Sequence, residues 1–487
     1  MNTSPASSAS MPLLLLAASF MRLSAAADIP VPDTGNSLVN GASLAAAIAT
    51  ANATPADDVI ILTPGAEYLL DTANNSDVPE LGANGLPSIV SGITIRGGFA
   101  SATAPTSIRR ADGVEFRIFL IQATGRLRLD SVRVSNGSAL SAPWPIGGGI
   151  FNSGGQLEMF HAELSDNMAS RAGGLANYVF AGVASPPAFD ASSAWLEEST
   201  VANNKGTNSS GAIINAGALT IERSTISGNQ GDESGGGISS GGLAANVRIF
   251  NSTISSNRTS TRAGVTGGIS VSSGRATLGF STVTGNAGYG ITASPGAIVA
   301  VSNSIVAGNR GTDIMGTSGN EDCQGTIRSD GHNLIGSVAS ARCTFAVASG
   351  DMAGSPAAPV DPRLGPLANN MGFTLTHALL SGSPARNNAV PARSGCPATD
   401  QRGELRPRGG AACDTGAFQA SLGLCDKDGK LCVFEIDVRF CAVYFSQCYQ
   451  HVLPFIDELV PKFPVLEPKV LGCRIDGPGC GPLPPLK

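Results

Sequence analysis

The chain is poor in charge and in aromatic rings. Charged residues make up 14% and aromatics 5% of its 487 positions, against about 25% charged in an average soluble protein. Lys205 is the only lysine before Lys427, and the net charge is −6. Nothing here supplies a cluster of phosphate contacts, so no nucleic-acid partner is expected. Cysteine is missing from the first 322 residues. After residue 30 no apolar run escapes interruption by Gly, Pro or charge, so no membrane span is expected beyond a leader. Gly is abundant, at 61 residues, but has no three-residue period, which excludes collagen. A hydrophobic fraction of 42% and a low net charge argue against charge-driven disorder.

The first 27 residues read as a signal peptide. Met11–Met21 is a short apolar run, and Ala25-Ala26-Ala27 precedes Asp28 as a small-residue cleavage site. The ten residues before Met11 carry no Arg or Lys, which departs from the usual basic start. Export is the expectation, to the outside of the cell or its outer surface. The cysteines agree. There are ten, Cys323, Cys343, Cys396, Cys413, Cys425, Cys432, Cys441, Cys448, Cys473 and Cys480. An even set behind a leader reads as disulfides, whose connectivity spacing alone leaves open. No CxxC and no His-bearing zinc spacing occurs, so no metal site is expected.

What the chain has in abundance is repetition. One phrase recurs as SerThrValAlaAsnAsn at 199–204, SerThrIleSerGlyAsn at 224–229, SerThrIleSerSerAsn at 252–257 and SerThrValThrGlyAsn at 281–286. Looser copies close on Asn167 and Asn309. The closing residues Asn167, Asn204, Asn229, Asn257, Asn286 and Asn309 are spaced by 37, 25, 28, 29 and 23. A Gly-rich phrase, such as Gly147–Ile150 or Gly235–Ile238, precedes each copy. Periods of this length mark solenoids. Leu127–Asp130, Leu219–Glu222 and Val247–Phe250 alternate apolar and polar, the period of a strand. β-Branched pairs such as Thr225-Ile226 suit pleated strands and fit helices poorly.

Three short strands and three corners per repeat predict an all-β fold, a single-stranded parallel β-helix with about 4.8 Å between coils. The recurring asparagines are expected to stack at one corner as a structural ladder, coil to coil. Residues 181–194 stretch one repeat and read as a loop outside the stack. A leucine-rich horseshoe would need more Leu and alternating helices, and a propeller longer repeats and more aromatics. A solenoid needs end caps. Ser43–Ala53 is alanine-rich, with Leu44, Ala47 and Ile48 on one face, and predicts a short helix N-capped by Ser43. The organisation is then a leader (1–27), a cap with a short helix (28–57), coils (58–320), further coils (321–420) and a small cysteine-rich tail (421–487).

The block 323–418 carries distinctive phrases. They include Asn333-Leu334-Ile335-Gly336, Asp361-Pro362-Arg363-Leu364-Gly365-Pro366-Leu367, Thr376-His377-Ala378-Leu379 and Gly382-Ser383-Pro384-Ala385. Asp400-Gln401-Arg402-Gly403, Arg406-Pro407 and Cys413-Asp414 with Gly416-Ala417-Phe418 follow. This block resembles the bacterial choice-of-anchor Q domain proteins. The resemblance implies a right-handed β-helix of the pectin-lyase-like kind, exported or held at the cell surface. Within it, Cys323 would pair with Cys343 and Cys396 with Cys413. Arg402, Arg406 and Asp414 would form an ion network tying the last coils, and His377 a hydrogen-bonded structural histidine.

The tail has six cysteines and many prolines. A strand at Phe434–Val438 and a short helix within Val452–Val460 are its expected elements. It would cap the helix, bind a partner or stand in for an anchor.

The fold class also hosts polysaccharide lyases and hydrolases, which need clustered carboxylates with a nearby cation. Glu158, Glu222 and Arg248 are the candidates, expected at comparable outward positions of a charged stripe. Glu197-Glu198 and Asp232-Glu233 are expected in solvated turns. Asp313, Glu321 and Asp322 offer a possible calcium site without a recognised loop spacing, and no other cofactor is expected. Trp144 and Trp195 both lie beside excursions and are candidate glycan-stacking residues on a shared groove. The primary expectation is a non-catalytic exported surface or secreted protein, adhesive, glycan-binding or structural, with a polysaccharide or a cell-surface protein as partner. The alternative is a polysaccharide lyase or glycoside hydrolase.

Overall fold

The computed structural model describes residues 26–101, 104–141, 143–180, 192–232, 235–259, 266–310, 322–339, 341–390, 395–407 and 412–420, with the two-residue strands Leu424–Cys425 and Cys432–Val433. Residues 1–25 of the expected leader, 181–191 of the expected loop and the expected tail elements fall outside these residues; Ser193 and Ala194, assigned to that loop, instead open the strand Ser193–Glu197 within the first sheet. Among those described, the strands form three largely parallel sheets of 19, 12 and 5 strands, and two small antiparallel pairs. Among the described residues the protein is all-β apart from one α-helix and a single 3-10 turn. No described helix is long and apolar enough to cross a membrane.

Each repeat contributes strands to the sheets in the same order. The repeat holding Asn229 supplies Ala218–Glu222 to the first sheet, Thr225–Ser227 to the second and Gln230–Gly231 to the third. Within the repeats each strand pairs in parallel with its counterpart one repeat away. Leu219 lies opposite Val247, and Ile226 opposite Ile254. One consequence is a continuous apolar row. Ile60, Ile95, Leu129, Met159, Leu196, Ile221, Ile249, Leu278 and Val301 follow one another in register, and all are buried. Because side chains alternate across a strand, the residues between them face outward. The period-two reading of the sequence predicts this packing.

The helix spans Ser37–Asn52, and its cap lies seven residues before the expected Ser43. Asn36 is the N-cap. Its Oδ1 accepts from the N–H groups of Leu38 and Val39 at 3.1 and 3.4 Å, satisfying two free donors of the first turn. Gly41 disguised this extension, since glycine is a poor helix former. Its role is close approach: a Cβ there would stand 2.1 Å from the Leu69 carbonyl oxygen. Leu44, Ala47, Ile48 and Ala51 bury the helix against the first strands.

The chain from about residue 362 onward lies across the second sheet. Thr225 Oγ1 donates to Leu375 O at 2.6 Å, and Thr253 Oγ1 to Gln401 Oε1 at 2.6 Å. The Ala417 N–H donates to Thr282 Oγ1 at 3.1 Å. Gln401 is fully buried and donates to Ser224 O, Thr225 Oγ1, Thr374 Oγ1 and Leu375 O. Disulfides join Cys323 to Cys343 and Cys396 to Cys413.

Candidate functional site

The recurring asparagines are buried and joined. The Asn204 side-chain amide donates to Asn229 Oδ1 at 3.0 Å, Asn229 to Asn257 at 2.8 Å, Asn257 to Asn286 at 3.0 Å and Asn286 to Asn309 at 2.8 Å. Asn167 donates to Asn204 at 3.0 Å. The backbone N–H of each donates to the same oxygen. Buried amides whose donors and acceptors are all met stabilise the stack and leave nothing for a ligand. Sequence reasoning missed a second ladder within the same phrase. Ser199, Ser224, Ser252, Ser281 and Ser304 each accept, on Oγ, the N–H of the equivalent residue one repeat before. A third, shorter ladder runs Asn152, Asn177, Asn215, Ser240.

The residues before these serines, with His161 before Ala162 and His332 before Asn333 at the two ends of the ladder, form a column of unlike side chains. His161, Glu198, Arg223, Asn251, Phe280, Asn303 and His332 all have φ between +46° and +58°. Non-glycine residues at positive φ are uncommon and often serve function. Here they place charged groups one above the other. Arg223 donates Nε–H to Glu198 Oε1 at 2.8 Å and Nη1–H to Glu222 Oε1 at 3.1 Å, and it also pairs with Glu197. His161 Nε2–H donates to Glu198 Oε2 at 2.5 Å. Burial alone would raise the Glu198 carboxyl, but the bonds from His161 and Arg223 hold it below its usual value. Burial also opposes the Arg223 charge, and the facing glutamates overcome it, raising its pKa. Glu197-Glu198 is therefore no solvated turn. Glu197 ends a strand, and both side chains are about four-fifths buried.

The C-terminal block occupies this column. Phe373 stacks on His161 at 3.9 Å between ring centroids, and Thr374 Oγ1 donates to Arg223 O at 3.0 Å. Arg406 donates to Asn251 Oδ1 at 3.1 Å and lies over the Phe280 ring. The Val390 N–H donates to Asn303 Oδ1 at 3.0 Å, and His332 Nδ1–H to Asn388 O at 2.6 Å. The expected Arg402–Arg406–Asp414 network takes a different form. Arg402 pairs with the buried Asp400 at 2.8 Å, while Arg406 reaches the carbonyl oxygens of Asp414 and Gly416 and not the Asp414 carboxylate. Burial pushes the Arg406 pKa down to about 10. His377 donates Nδ1–H to Gly365 O and accepts from Ser255 Oγ on Nε2, both at 2.7 Å. The column acts as a clamp that fastens the block to the stack.

The predicted catalytic stripe separates into two rows. In register, Arg128, Glu158, Trp195, Thr220 and Arg248 follow one another. Glu222 stands two residues further along its strand, between Glu197 and Phe250. Glu158 pairs with Arg128 at 3.0 Å, and Glu222 with Arg223. Arg248 has no ion pair among the described residues. The tryptophans do not share a groove. Trp144 packs edge-on to Phe180, with Arg171 over its ring, beside the apolar cluster of Val78, Leu81 and Phe151. Trp195 lies mid-strand and is 42% exposed. It lines an open depression with Gln156, Glu158, Ser193, Thr220 and Glu222.

Of the calcium candidates, Asp313 and Glu321 lie outside the described residues, as does Glu233. Asp322 is buried and accepts from Asn309 and Ser337. No group of three or more His, Cys, Asp or Glu fit to hold a metal occurs among the described residues. No protein-family model matches the chain, and no curated protein matches it in sequence.

Proposed function

We propose that the three parallel sheets wind together as one right-handed β-helix, and that the protein is an exported, non-catalytic scaffold that binds polysaccharide across the outer face holding Trp195. The carrying observation is Trp195 itself, a large ring left open at the centre of a strand and ringed by polar side chains. A sugar ring presents C–H groups on its face and hydroxyls on its edge. An exposed indole takes the first, and Glu158, Glu222, Gln156 and Thr220 take the second. The depression is open and crosses three neighbouring strands, which suits a polymer crossing the strands better than an enclosed small molecule.

Binding without turnover fits the state of the two acids. Catalysis by a pair of carboxylates needs one held protonated as the acid and one free as base or nucleophile. Glu158 is paired with Arg128 and Glu222 with Arg223, and the two acids stand in different rows of the sheet. Export is supported by the leader-like start and by two disulfides, which persist in oxidising compartments. The motifs of block 323–418 support a relationship to choice-of-anchor Q domain proteins.

The test is titration of a soluble polysaccharide panel into the wild type and Trp195→Ala. Loss of an aromatic stacking contact predicts a drop of roughly five- to tenfold in affinity for the bound glycan, with unfolding unchanged. Equal affinity in both proteins removes Trp195 from the site.

A further inference from the structure

The sequence shows no basic cluster, yet the fold assembles one from residues far apart in the chain. Each ladder asparagine is followed by a residue held outward. Backbone N–H groups of Lys205, Gln230, Arg258, Ala287 and Arg310 donate to the carbonyl oxygens of Asn167, Asn204, Asn229, Asn257 and Asn286. The register is direct. Lys205 lies opposite Gln230, Gln230 opposite Arg258, Arg258 opposite Ala287 and Ala287 opposite Arg310. Cations thus stand on the first, third and fifth rungs. With strands ~4.8 Å apart, neighbouring cations repeat at about 10 Å.

All three cations are exposed, and none has an ion pair among the described residues. Arg258 donates to Gln230 Oε1 at 2.8 Å, which lays its side chain along the row. The row runs along the third sheet as far as Arg258 and continues through the bridges of Ala287 and Arg310, whereas Trp195 is in the first sheet. Asp232, two residues beyond Gln230, is the acid that borders it in the turn. In a chain of net charge −6 with one lysine before residue 427, this alignment is a local reversal of sign.

We propose that this row binds a linear anionic polysaccharide carrying one carboxylate or sulfate on every second sugar. An extended chain of linked pyranoses advances roughly one strand spacing per ring. Charges on alternate sugars therefore fall at the interval of the three cations. Guanidinium groups suit such anions because their paired N–H donors match two oxygens at once. No aromatic side chain stands on these rungs, so the row lacks the stacking platform that single-stranded nucleic acid uses.

The test measures binding of the full chain to hyaluronate, which has one carboxylate per two sugars. Polygalacturonate, neutral dextran and single-stranded oligo(dT) serve as comparisons. The triple variant Lys205→Gln/Arg258→Gln/Arg310→Gln loses at least about tenfold in hyaluronate affinity, and the salt dependence of what remains flattens. The same triple variant keeps its affinity for neutral glycans held at Trp195, which separates this row from the site proposed above. Ala287→Arg fills the fourth rung and shifts preference toward polygalacturonate. Unchanged hyaluronate binding in a folded triple variant overturns the proposal. So does tighter binding of oligo(dT) than of hyaluronate by the wild type.

Discussion

Asn309 gives both its backbone N–H and its side-chain N–H to a single oxygen of Asp322, at 2.8 and 2.9 Å. The asparagine ladder thus ends on a carboxylate. The serine ladder ends the same way: the Ser304 N–H donates to Asn333 Oδ1, and Asn333 in turn donates to Asp351 Oδ1. The reason is polarity. Every rung gives its backbone N–H and an amide N–H toward the C-terminal end, so the last rung needs an acceptor beyond it. A carboxylate is acceptor-only when ionised, and the aligned amides present it with partial positive charge.

Asp322 makes stability depend on pH. Burial pushes its carboxyl up to about 7 from 3.8, against the lowering bonds from Asn309 and Ser337. Between those values the folded chain holds a proton that the unfolded chain has lost. Its contribution is therefore full below about pH 4 and is lost as pH rises through about 7, by at most about 1.4 kcal/mol per pH unit. Urea unfolding across this range checks the slope. Asp322→Asn removes this component, at the cost of the bond from the Ser337 N–H to Oδ2.

A ladder rung in mid-stack resists substitution. Asn257 accepts two bonds from Asn229 and donates to Ile226 O and Asn286 Oδ1. Asn257→Ala removes four buried hydrogen bonds and costs about 2–4 kcal/mol. Asn257→Asp sets carboxylate oxygen against those two acceptors and costs more at neutral pH than in acid. Denaturant midpoints of the two variants at two pH values decide this.

Arg223 is the hub of the clamp. Arg223→Leu leaves Glu197, Glu198 and Glu222 facing one another. Their partial exposure screens the repulsion, so the loss is about 1–3 kcal/mol. Limited proteolysis within 370–376 increases if Phe373 and Thr374 lose their seat. Unaltered cleavage there shows that the block is fastened elsewhere.

Reduction weakens the C-terminal part. The two disulfides close loops with sequence separations of 20 and 17. Each contributes about 3 kcal/mol on loop-closure grounds. A reduced protein melts lower, and Cys396→Ser/Cys413→Ser reproduces part of the loss without reductant.

Much of the architecture was legible because it repeats in residue type. Asn204, Asn229 and Asn257 recur in one phrase, and alternation in segments such as Leu219–Glu222 marks the strands. The clamp was illegible for the opposite reason. His161, Glu198, Arg223, Asn251, Phe280, Asn303 and His332 share only a backbone position before the rungs of the serine ladder, and their chemistry is met by a block up to 212 residues away in the chain, from His161 to Phe373. Counting back from the serines would have parted Glu158 and Arg248, four before their phrase, from Glu222, two before. Rows two residues apart share a face but not a rung. The basic row was hidden by the same arithmetic: Lys205, Arg258 and Arg310 are neighbours only once the ladder sets them in register.

The most direct measurement incubates the full-length protein with a panel of neutral and acidic polysaccharides, following retention and product formation together. The account predicts retention of at least one polymer, lost in Trp195→Ala, with no new reducing ends and no unsaturated sugars. Product that disappears in Glu158→Gln or Glu222→Gln contradicts it and makes the Trp195 depression an active site.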